Sequence, residues 1–337
     1  MTVNGGFVTK KIAFLILNML GLIAFCINQI AHAQDQKIIE LVNQVRIEHI
    51  IKNIKTLAKS ERFTDEHKIQ AMNVIKSQLE NYGYTVKVVE KIVQGKINRN
   101  IIAELKGKVT PNRIFIVGAH YDSVAGSFGA DDNASAVAGM LEIARLLKDS
   151  NLAATVHFVA FDNEENGLLG SKSYAQTLKA QGANIIGMIS LEMIAYTCRT
   201  SGCQAAFVDV PNCLDVEPGN EKVGDYIGFV ANTGSVKMLG EFKKAVKQFV
   251  PSLKIVTAIV TDNGACFANT RRSDHASFWD LGFPAMMITD TANFRNPNYH
   301  KKTDAAETLD FEFATKVVQA VLSTVIFISN RSVSTTP

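Results

Sequence analysis

The sequence predicts a single α/β domain in which a mixed, mainly parallel central sheet lies between layers of helices. Apolar patterns typical of helices and of strands alternate over most of the 337 residues. The run Arg113–Ala119 is almost wholly apolar, as expected for a central strand covered on both faces. No linker rich in proline, glycine or serine divides the chain, and no internal repeat is present, so one domain is the simplest arrangement.

The elements can be assigned in order along the chain. Apolar residues at three- and four-residue spacing predict a helix over Ile38–Leu57, and a second helix follows that stops at Gly83. The predicted strands are Tyr84–Val89, Asn100–Leu105, Arg113–Ala119, Thr155–Phe161, Asn184–Leu191, Lys254–Val260 and Ala285–Thr289. The remaining predicted helices alternate with them and are Ala134–Leu147, Leu168–Ala180, Met238–Val250 and Phe311–Ile328.

The N-terminal residues have the pattern of a secretory signal peptide. Two lysines precede the short apolar run Ile12–Cys26, and an Ala-His-Ala site follows, which predicts cleavage after Ala33. Asparagines interrupt the apolar segment, which is unfavourable for a membrane span. We therefore expect a secreted or periplasmic protein without membrane contact after cleavage, with its domain over residues 34–330 and a tail over residues 331–337.

The charge balance argues against one class of function, nucleic-acid binding, and the cysteine content indicates disulfides. The chain has 35 basic and 32 acidic residues, and two of the lysines belong to the predicted signal peptide, so the near balance argues against a nucleic-acid partner. Four cysteines follow the signal peptide: Cys198, Cys203, Cys213 and Cys266. Because an exported protein meets an oxidising compartment, one or two disulfides are expected, with their connectivity open. The sequence carries no signal for the oligomeric state.

Side chains that can bind metals follow the ends of three predicted strands. The segment beginning at His120 reads HYDSVAGSFGADDN, the next strand is followed by DNEENG, and Glu192 ends the third. Because ligands bind beyond the carboxyl ends of parallel strands, these side chains should meet at one edge of the sheet. Carboxylates crowded together repel one another unless a cation lies among them, so the pattern predicts a divalent metal site.

Each of these motifs also has a purely structural interpretation. Asp122 can hold the second ring nitrogen of a ligating His120, or the histidine can simply be solvated at a strand end. Asp132 or Asn133 can serve as a helix N-cap, although the double acid before that cap is then unexplained. The pair Glu164 and Glu165 can be no more than a solvated turn.

Taken together, the motifs resemble those of the co-catalytic di-zinc exopeptidases, which include bacterial secreted leucyl aminopeptidases and glutamate carboxypeptidase. The similarity extends from SQLENYGYTV, which starts at Ser77, to about Asp310, and the motifs occur in family order. The family binds two zinc ions per chain and acts on peptides, so the resemblance implies a peptide substrate.

The resemblance also implies roles for individual residues. Asp131 would bridge two metals, with a cis peptide bond between it and Asp132. His120 and Glu192, in SLEM, would complete one metal site. Glu165 and His300, in NPNYHKKTD, would complete the other. Glu164 would be the general base, and Tyr299 would donate a hydrogen bond to the developing oxyanion, unless it only packs beside the ligand.

Two positions depart from the family pattern or have a second interpretation. Glu192 stands where most relatives carry aspartate, one methylene shorter. Asp274 and His275 match a motif that lines the family's site, but a helix N-cap at Ser273 or Asp274 with a hydrogen-bonded, partly buried His275 explains the same residues and is the preferred interpretation. The arginines Arg271 and Arg272 can grip a substrate carboxylate, or be solvated.

The sequence thus predicts a zinc exopeptidase, most simply an aminopeptidase. Three alternatives remain on the same scaffold: a carboxypeptidase, a glutaminyl cyclase that uses a single zinc ion, and a binding ectodomain that has lost catalysis. The number of bound zinc ions distinguishes the cyclase, which uses one, from the exopeptidases, which use two. The presence of every expected ligand disfavours the binding ectodomain.

Overall fold

The computed structural model describes residue 29 and residues 32–205, 213–217 and 222–330. Most of the predicted signal peptide, residues 1–28, 30 and 31, and the whole predicted tail lie outside these residues. The described chain folds around one nine-stranded sheet with helices on both faces. The strands are β1 Val86–Val93, β2 Lys96–Leu105, β3 Thr110–His120, β4 Ala154–Phe161, β5 Asn184–Glu192, β6 Leu214–Glu217, β7 Ile227–Asn232, β8 Ile255–Val260 and β9 Ala285–Thr289.

The sheet is parallel in its centre and antiparallel towards its edges. Its strand order is β1-β2-β4-β3-β5-β9-β7-β8-β6. The pairs β4–β3, β3–β5 and β5–β9 are parallel, as is β7–β8, whereas β1–β2, β2–β4, β9–β7 and β8–β6 are antiparallel. The predicted mixed sheet is therefore confirmed, while its mainly parallel character holds for the central strands.

Helices cover the two faces of the sheet unequally. The helices are α1 over residues 32–42, α2 Ile47–Leu57, α3 Asp65–Asn81, α4 Ala136–Leu147, α5 Leu169–Ala180, α6 Val236–Phe249, α7 His275–Trp279 and α8 Phe311–Ser329. The central strand β3 shows why both faces need a cover, because Phe115 and Val117 point into the larger core with α4 and α8, and Ile116 points into the smaller core with α5 and α7.

The C-terminal helix α8 is a core helix. Its length and hydropathy would suffice to cross a membrane, but 67% of its apolar window is buried inside the domain. Its side chains pack in the larger core, against α4 and α6. The Asp310 side chain accepts a hydrogen bond from the Phe313 backbone N–H at 2.9 Å and so caps the start of the helix.

The structure departs from the predicted elements at two places. The single helix predicted over Ile38–Leu57 is two helices, because the chain turns at residues 43–46 and the buried Glu142 carboxylate accepts a hydrogen bond from the Arg46 backbone N–H at 2.8 Å. The strands β6 and β7 were not predicted. They are short and lie beside the polar, cysteine-rich stretch of the chain.

Two disulfides form, as the sequence predicts. Cys198 pairs with Cys203, and Cys213 pairs with Cys266. The second bond joins segments 53 residues apart and ties the start of β6 to the loop after β8. Such bonds are typical of proteins that fold in an oxidising compartment, outside the cytoplasm.

Candidate metal centre

Three parallel strands deliver acidic and imidazole side chains to the same edge of the sheet. His120 is the last residue of β3, Glu192 is the last residue of β5, and Glu164 and Glu165 lie in the turn after β4. His120 and Glu192 are buried, and the side chains of Glu164 and Glu165 are only 11% and 12% exposed. The convergence predicted from the sequence is therefore present.

The side chains form two clusters that share Asp132. In the first, the Nε2 atom of His120 lies 3.3 Å from Asp132 Oδ1 and 3.4 Å from Glu192 Oε2. In the second, the Nε2 atom of His300 lies 3.1 Å from Asp132 Oδ2 and 3.4 Å from Glu165 Oε2. Asp132 thus turns one carboxylate oxygen to each cluster.

The spacing within each cluster fits zinc. Ligand atoms about 2.0–2.1 Å from a tetrahedral zinc ion lie roughly 3.3–3.4 Å from one another, close to the separations observed here. Both ring nitrogens of His120 and the Oε1 atom of Glu165 are buried without a hydrogen-bond partner among the described residues. Polar atoms in that state are destabilising unless something binds them, so the residues present fit a metal better than an internal ion-pair network.

The predicted role of Asp131 as the bridging acid is wrong, because its carboxylate points away from both clusters. Its Oδ1 atom accepts a hydrogen bond from the Ala195 backbone N–H at 3.1 Å, and its Oδ2 atom accepts one from Asn296 Nδ2 at 2.8 Å. The chain bends here, so adjacent acids face different directions, and Asp132 occupies the place expected for Asp131. The cis peptide bond is likewise one residue later, between Asp132 and Asn133.

The charges of the two clusters are strongly coupled. Although burial raises the pKa of Asp132, contacts with His120 and His300 hold it well below its usual range. Burial and the Asp132 charge raise the pKa of Glu165 to about 7. Desolvation lowers the pKa of His300, but Asp132 and Glu165 outweigh it and raise the pKa to about 9. In the absence of metal, the imidazoles therefore supply the positive charge that the carboxylates require.

Two further aspartates hold the metal-facing segments in place. Asp122 lies 3.4 Å from His120 Nδ1, and it accepts hydrogen bonds from the backbone N–H groups of Glu164 at 3.1 Å and Glu165 at 3.2 Å. Asp304 accepts the backbone N–H groups of Asp131 at 2.9 Å and Asp132 at 3.1 Å. One carboxylate therefore joins the β3 and β4 loops, and the other fixes the turn that carries Asp132.

Glu164 and Tyr299 flank the clusters without belonging to either. The Oε2 atom of Glu164 lies 3.9 Å from His120 Nε2, and burial raises the pKa of Glu164 well above its usual value. The Tyr299 ring stacks on the His300 imidazole at 3.7 Å between centroids. Its hydroxyl accepts a hydrogen bond from Arg272 Nη2 at 2.8 Å. Both residues therefore lie where the sequence places them, beside the candidate ligands.

The segment from Arg271 to His275 contributes one residue, Ser273, that contacts a candidate ligand, and its other side chains make structural contacts or are buried. Ser273 donates a hydrogen bond to Glu192 Oε2 at 2.8 Å and orients the long glutamate side chain. Asp274 is fully buried and burial raises its pKa to about 7, but it makes no N-cap hydrogen bond, so the predicted capping role is wrong. His275 is buried and contacts the Thr270 carbonyl at 2.8 Å, and burial lowers its pKa to about 3, which keeps it neutral. Arg271 pairs with Asp280.

Sequence reasoning missed several supporting residues, which are Asn133, Asp290, Asn296 and Asp304. Asp290 follows the end of β9, the same position from which the acids after β3 and β4 were found, so the strand-end pattern could have identified it. Its carboxylate accepts the backbone N–H groups of Tyr196 and Ala292, both at 2.9 Å. Asn133 lies in the segment after β3 that the sequence analysis considered, but only as a possible helix N-cap, whereas it contacts the Leu191 carbonyl and the Met193 N–H. Asn296 and Asp304 lie in segments without a strand-end signal.

With this geometry established, comparison with known proteins identifies the family. The model of Peptidase family M28 matches residues 100–325, about two thirds of the sequence. The chain belongs to peptidase family M28. The predicted zinc exopeptidase family is thereby confirmed, and with it the expectation of a peptidase.

Two relatives illustrate the range of this M28 chain's similarity. The uncharacterized protein YfbL of Escherichia coli is 31% identical over 263 residues, covering 74% of this chain and 77% of that protein. A probable zinc metalloprotease of Pyrenophora tritici-repentis is 28% identical over 262 residues, covering 70% of this chain but only 58% of the fungal protein. The names among such relatives indicate zinc as the metal of the family.

Solved structures confirm the fold of the M28 chain. The LapA aminopeptidase of Legionella pneumophila superposes with a TM-score of 0.67 at 17% identity, covering 88% of this chain and 75% of that one. A glutaminyl cyclase of Bacteroides thetaiotaomicron superposes with a TM-score of 0.60 at 19% identity, covering 86% and 99%. Because both kinds of enzyme share the fold, the choice between their reactions depends on the site residues.

Proposed function

We propose that this M28 chain is a secreted or periplasmic aminopeptidase that holds two zinc ions and removes apolar residues from the N-termini of peptides. One observation carries the proposal: Asp132 turns its two oxygens to two clusters, each with one imidazole and one further carboxylate. His120 and Glu192 would hold one ion with Asp132, and Glu165 and His300 would hold the other. Imidazole and carboxylate ligands with a place left for water are typical of catalytic zinc.

The residues around the clusters have complementary tasks. When bound, two zinc ions supply the Lewis acidity that acidifies water and polarises a peptide carbonyl. Glu164, held by its backbone N–H to Asp122, is placed to accept a proton and to deliver it to the leaving amine. Burial raises the pKa of Glu164 well above its usual value, which supports a role for this carboxyl group in carrying a proton. Ser273 keeps Glu192 turned towards His120.

Tyr299 is suited to stabilise negative charge on the substrate oxygen. Its hydroxyl already accepts a hydrogen bond from Arg272, so its own hydrogen is free to be donated to a substrate. The Arg272 guanidinium carbon lies 5.4 Å from the centre of the Tyr299 ring, and a second nitrogen donates to Asn293 Oδ1 at 2.8 Å. These contacts fix the tyrosine beside the clusters.

An apolar pocket opens beside the metal centre and supports a preference for apolar residues. The cavity has a volume of about 80 Å³ and shares Glu192 and Tyr299 with the site. Its walls are mainly aliphatic and aromatic: Leu214, Val216, Phe229, Phe267, Met287 and Phe294. A substrate side chain in this pocket would place the adjacent carbonyl near Tyr299, which lines the pocket.

The charges around the pocket favour an aminopeptidase over a carboxypeptidase. A carboxypeptidase needs a cation that grips the substrate's terminal carboxylate, often the fork of an arginine. The two candidate arginines are engaged, since Arg271 pairs with Asp280 and Arg272 donates to Tyr299 and Asn293. Glu192 lines the pocket and adds negative charge there, which suits a free amine.

The second cluster disfavours a glutaminyl cyclase, in which a single zinc ion with fewer acids suffices. Glu165, His300 and the second oxygen of Asp132 lie together, which supports the binding of a second ion there. Export from the cytoplasm is supported by the two disulfides and by the signal-peptide pattern in the sequence.

The proposal is tested by incubating the purified, zinc-loaded protein with a mixed peptide library and identifying the products by mass spectrometry. We expect stepwise loss of N-terminal residues, fastest for apolar ones, abolished by a chelator and restored by Zn²⁺. Loss of C-terminal residues, or conversion of N-terminal glutamine to pyroglutamate without hydrolysis, would replace the aminopeptidase with the carboxypeptidase or the cyclase.

A further inference from the structure

Arg62 is a buried cation that lies outside the segment matched by the family model. It is in the loop between α2 and α3 and is 1% exposed, among the largest fully buried side chains of the described residues. An arginine is almost never buried without a specific partner. Its contacts therefore indicate what the N-terminal helices contribute to the rest of the domain.

The first set of contacts reaches the segment after β3. The Nε atom of Arg62 donates to the Tyr121 carbonyl at 2.7 Å. The backbone of Arg62 also exchanges hydrogen bonds with Ser123, since its N–H donates to Ser123 Oγ at 2.9 Å and its carbonyl accepts the Ser123 N–H at 3.3 Å. Tyr121 and Ser123 flank Asp122, the residue that lies against His120, so Arg62 holds that segment from both sides.

The second set of contacts reaches the turn that carries Asp132. The Nη1 atom donates to the Phe128 carbonyl at 2.7 Å, and the Nη2 atom donates to the Gly129 carbonyl at 2.8 Å. Gly129 has a φ of 58°, and a Cβ atom there would lie 2.6 Å from Arg62 Nη2 and 2.2 Å from the Asp132 carbonyl oxygen. The guanidinium is therefore packed directly against the backbone of the metal-facing turn.

The Arg62 guanidinium donates its hydrogen bonds to backbone carbonyls and forms no ion pair with a carboxylate among the described residues, so more distant acids balance its charge. The hydrogen bonds given above, and one more from Nη1 to the Leu57 carbonyl at 3.0 Å, all go to neutral backbone oxygens. Burial lowers the pKa of Arg62, while the charges of Asp132, Asp304 and Asp122 raise it. The acids of the metal centre are thus its counter-charges, and its planar fork joins the two loops that carry them.

We propose that Arg62 is a positioning residue of the metal centre: its guanidinium fixes the spacing of the His120–Asp122 segment and the Gly129–Asp132 turn, and so sets the affinity for zinc. The inference rests on the proposed two-zinc site. It assigns a function to the α2–α3 loop, which brings no metal-binding side chain of its own to the clusters. A lysine at this position would keep the charge, but its three donors on a single nitrogen could not reproduce the fork that holds four separate carbonyls.

The test compares Arg62→Lys with the matched control Arg145→Lys in the full chain. Arg145 makes a two-point contact with Glu142 at 2.8 Å in the same helical layer, but has no contact with either metal-facing loop. Zinc affinity is measured by competition with a chromophoric chelator, and the rise in melting temperature on adding zinc is measured in parallel. We expect Arg62→Lys to bind zinc about 10-fold or more weakly, as for other residues that orient ligands, and Arg145→Lys to match the wild type.

A milder variant guards against a failure to fold. Ser123→Ala removes one backbone contact of Arg62, together with the hydrogen bond from Ser123 Oγ to the Ser127 carbonyl, and leaves the guanidinium in place. We expect it to weaken zinc binding less than Arg62→Lys does. Folded variants that bind zinc as tightly as the wild type would overturn the inference, whereas a wild-type protein that binds no zinc would instead overturn the proposed function.

Discussion

The metal centre and the neighbouring apolar pocket meet at Glu192 and Tyr299, yet they are held together by different forces. In the metal centre, buried aspartates such as Asp122 and Asp304 accept pairs of backbone N–H groups, so polar contacts fix each loop. In the pocket, the walls are apolar, and the Cys213–Cys266 disulfide ties β6 to the loop after β8. Leu214 and Phe267, which line the pocket, each follow one of the two cysteines.

This difference suggests a division of labour between the two regions. The acidic region needs exact ligand spacing, which multiple hydrogen bonds from rigid strand ends provide. The apolar region needs shape, which covalent closure of two distant segments provides at the edge of the sheet. Changes in the first should therefore impair metal binding or catalysis, while changes in the second should alter which substrates are accepted.

The largest effect is expected at the shared ligand. Asp132→Asn should lose both zinc ions and nearly all activity, because one amide cannot serve two cations as a carboxylate does. Asp131→Asn keeps an oxygen for the Ala195 N–H and should retain metal, with activity lower by about 10–100-fold as for a residue that supports the ligands. Metal content by atomic emission and peptide hydrolysis rates compare the two. Equal zinc loss in both would contradict the assignment of Asp132.

The next effect is expected at the candidate base. Glu164→Gln should keep both zinc ions but reduce kcat by about 10²–10⁴-fold, because the amide cannot accept a proton. KM should change little, since the residue lies beside the clusters and not in the apolar pocket. Steady-state kinetics with metal content measured on the same sample is the check, and full turnover would exclude Glu164 as the base.

The metal ligands show which parts of the site can be predicted from the sequence and which cannot. The alternation of apolar patterns predicts the central strands closely, and the strand-end rule predicts that His120, Glu165 and Glu192 lie at the same edge of the sheet. Which of two adjacent aspartates faces the metals depends on the local bend and on the positions of Ala195 and Asn296, far along the chain. No pattern within residues 129–134 contains that information, so the family resemblance placed the bridging role one residue too early.

A smaller effect is expected at the pocket wall. Replacing Cys213 and Cys266 together by serine should raise KM for substrates with a large apolar N-terminal residue, leaving kcat and zinc content near the wild-type values. The loosened wall would lose contact with a large side chain but not with a small one. The comparison is between leucyl and alanyl reporter substrates, with the Cys198 and Cys203 double serine variant as control. A fall in zinc content would show that the two regions are not separate.

The smallest effect is expected in how the stability of the metal-free protein depends on pH. Without metal, Glu165 has a pKa of about 7 in the folded chain against an ordinary value of 4.5, so the folded state binds more protons, and stability falls as pH rises through this range. His300, raised from 6.5 to about 9, acts in the same direction at higher pH. The melting temperature of metal-free protein should therefore fall from pH 5 to pH 9.

Zinc should reverse this trend, because its ligands bind in their deprotonated forms and metal affinity rises with pH. The zinc-induced rise in melting temperature should thus grow between pH 5 and pH 8. Glu165→Gln is the matched variant, and its metal-free form should show a weaker dependence on pH. A metal-free wild type whose melting temperature is flat or rises over this range would contradict the charge distribution described here.

The strands β6 and β7, towards one edge of the sheet, could not be predicted from the sequence. The strands β6 and β7 were missed because one has four residues and the other contains Gly228 at a close backbone approach, where an added Cβ would lie 3.1 Å from the Thr289 carbonyl oxygen. Such strands are specified by their neighbours in the sheet and, for β6, by the Cys213–Cys266 bond. Neither influence is visible in a local hydrophobic pattern.

The most direct measurement is a crystal structure of the zinc-loaded protein with anomalous scattering recorded at the zinc edge. We predict two peaks on opposite sides of the Asp132 carboxylate, one beside His120 and Glu192 and the other beside Glu165 and His300. A single peak, or peaks that contact Asp131 while Asp132 points elsewhere, would contradict the account.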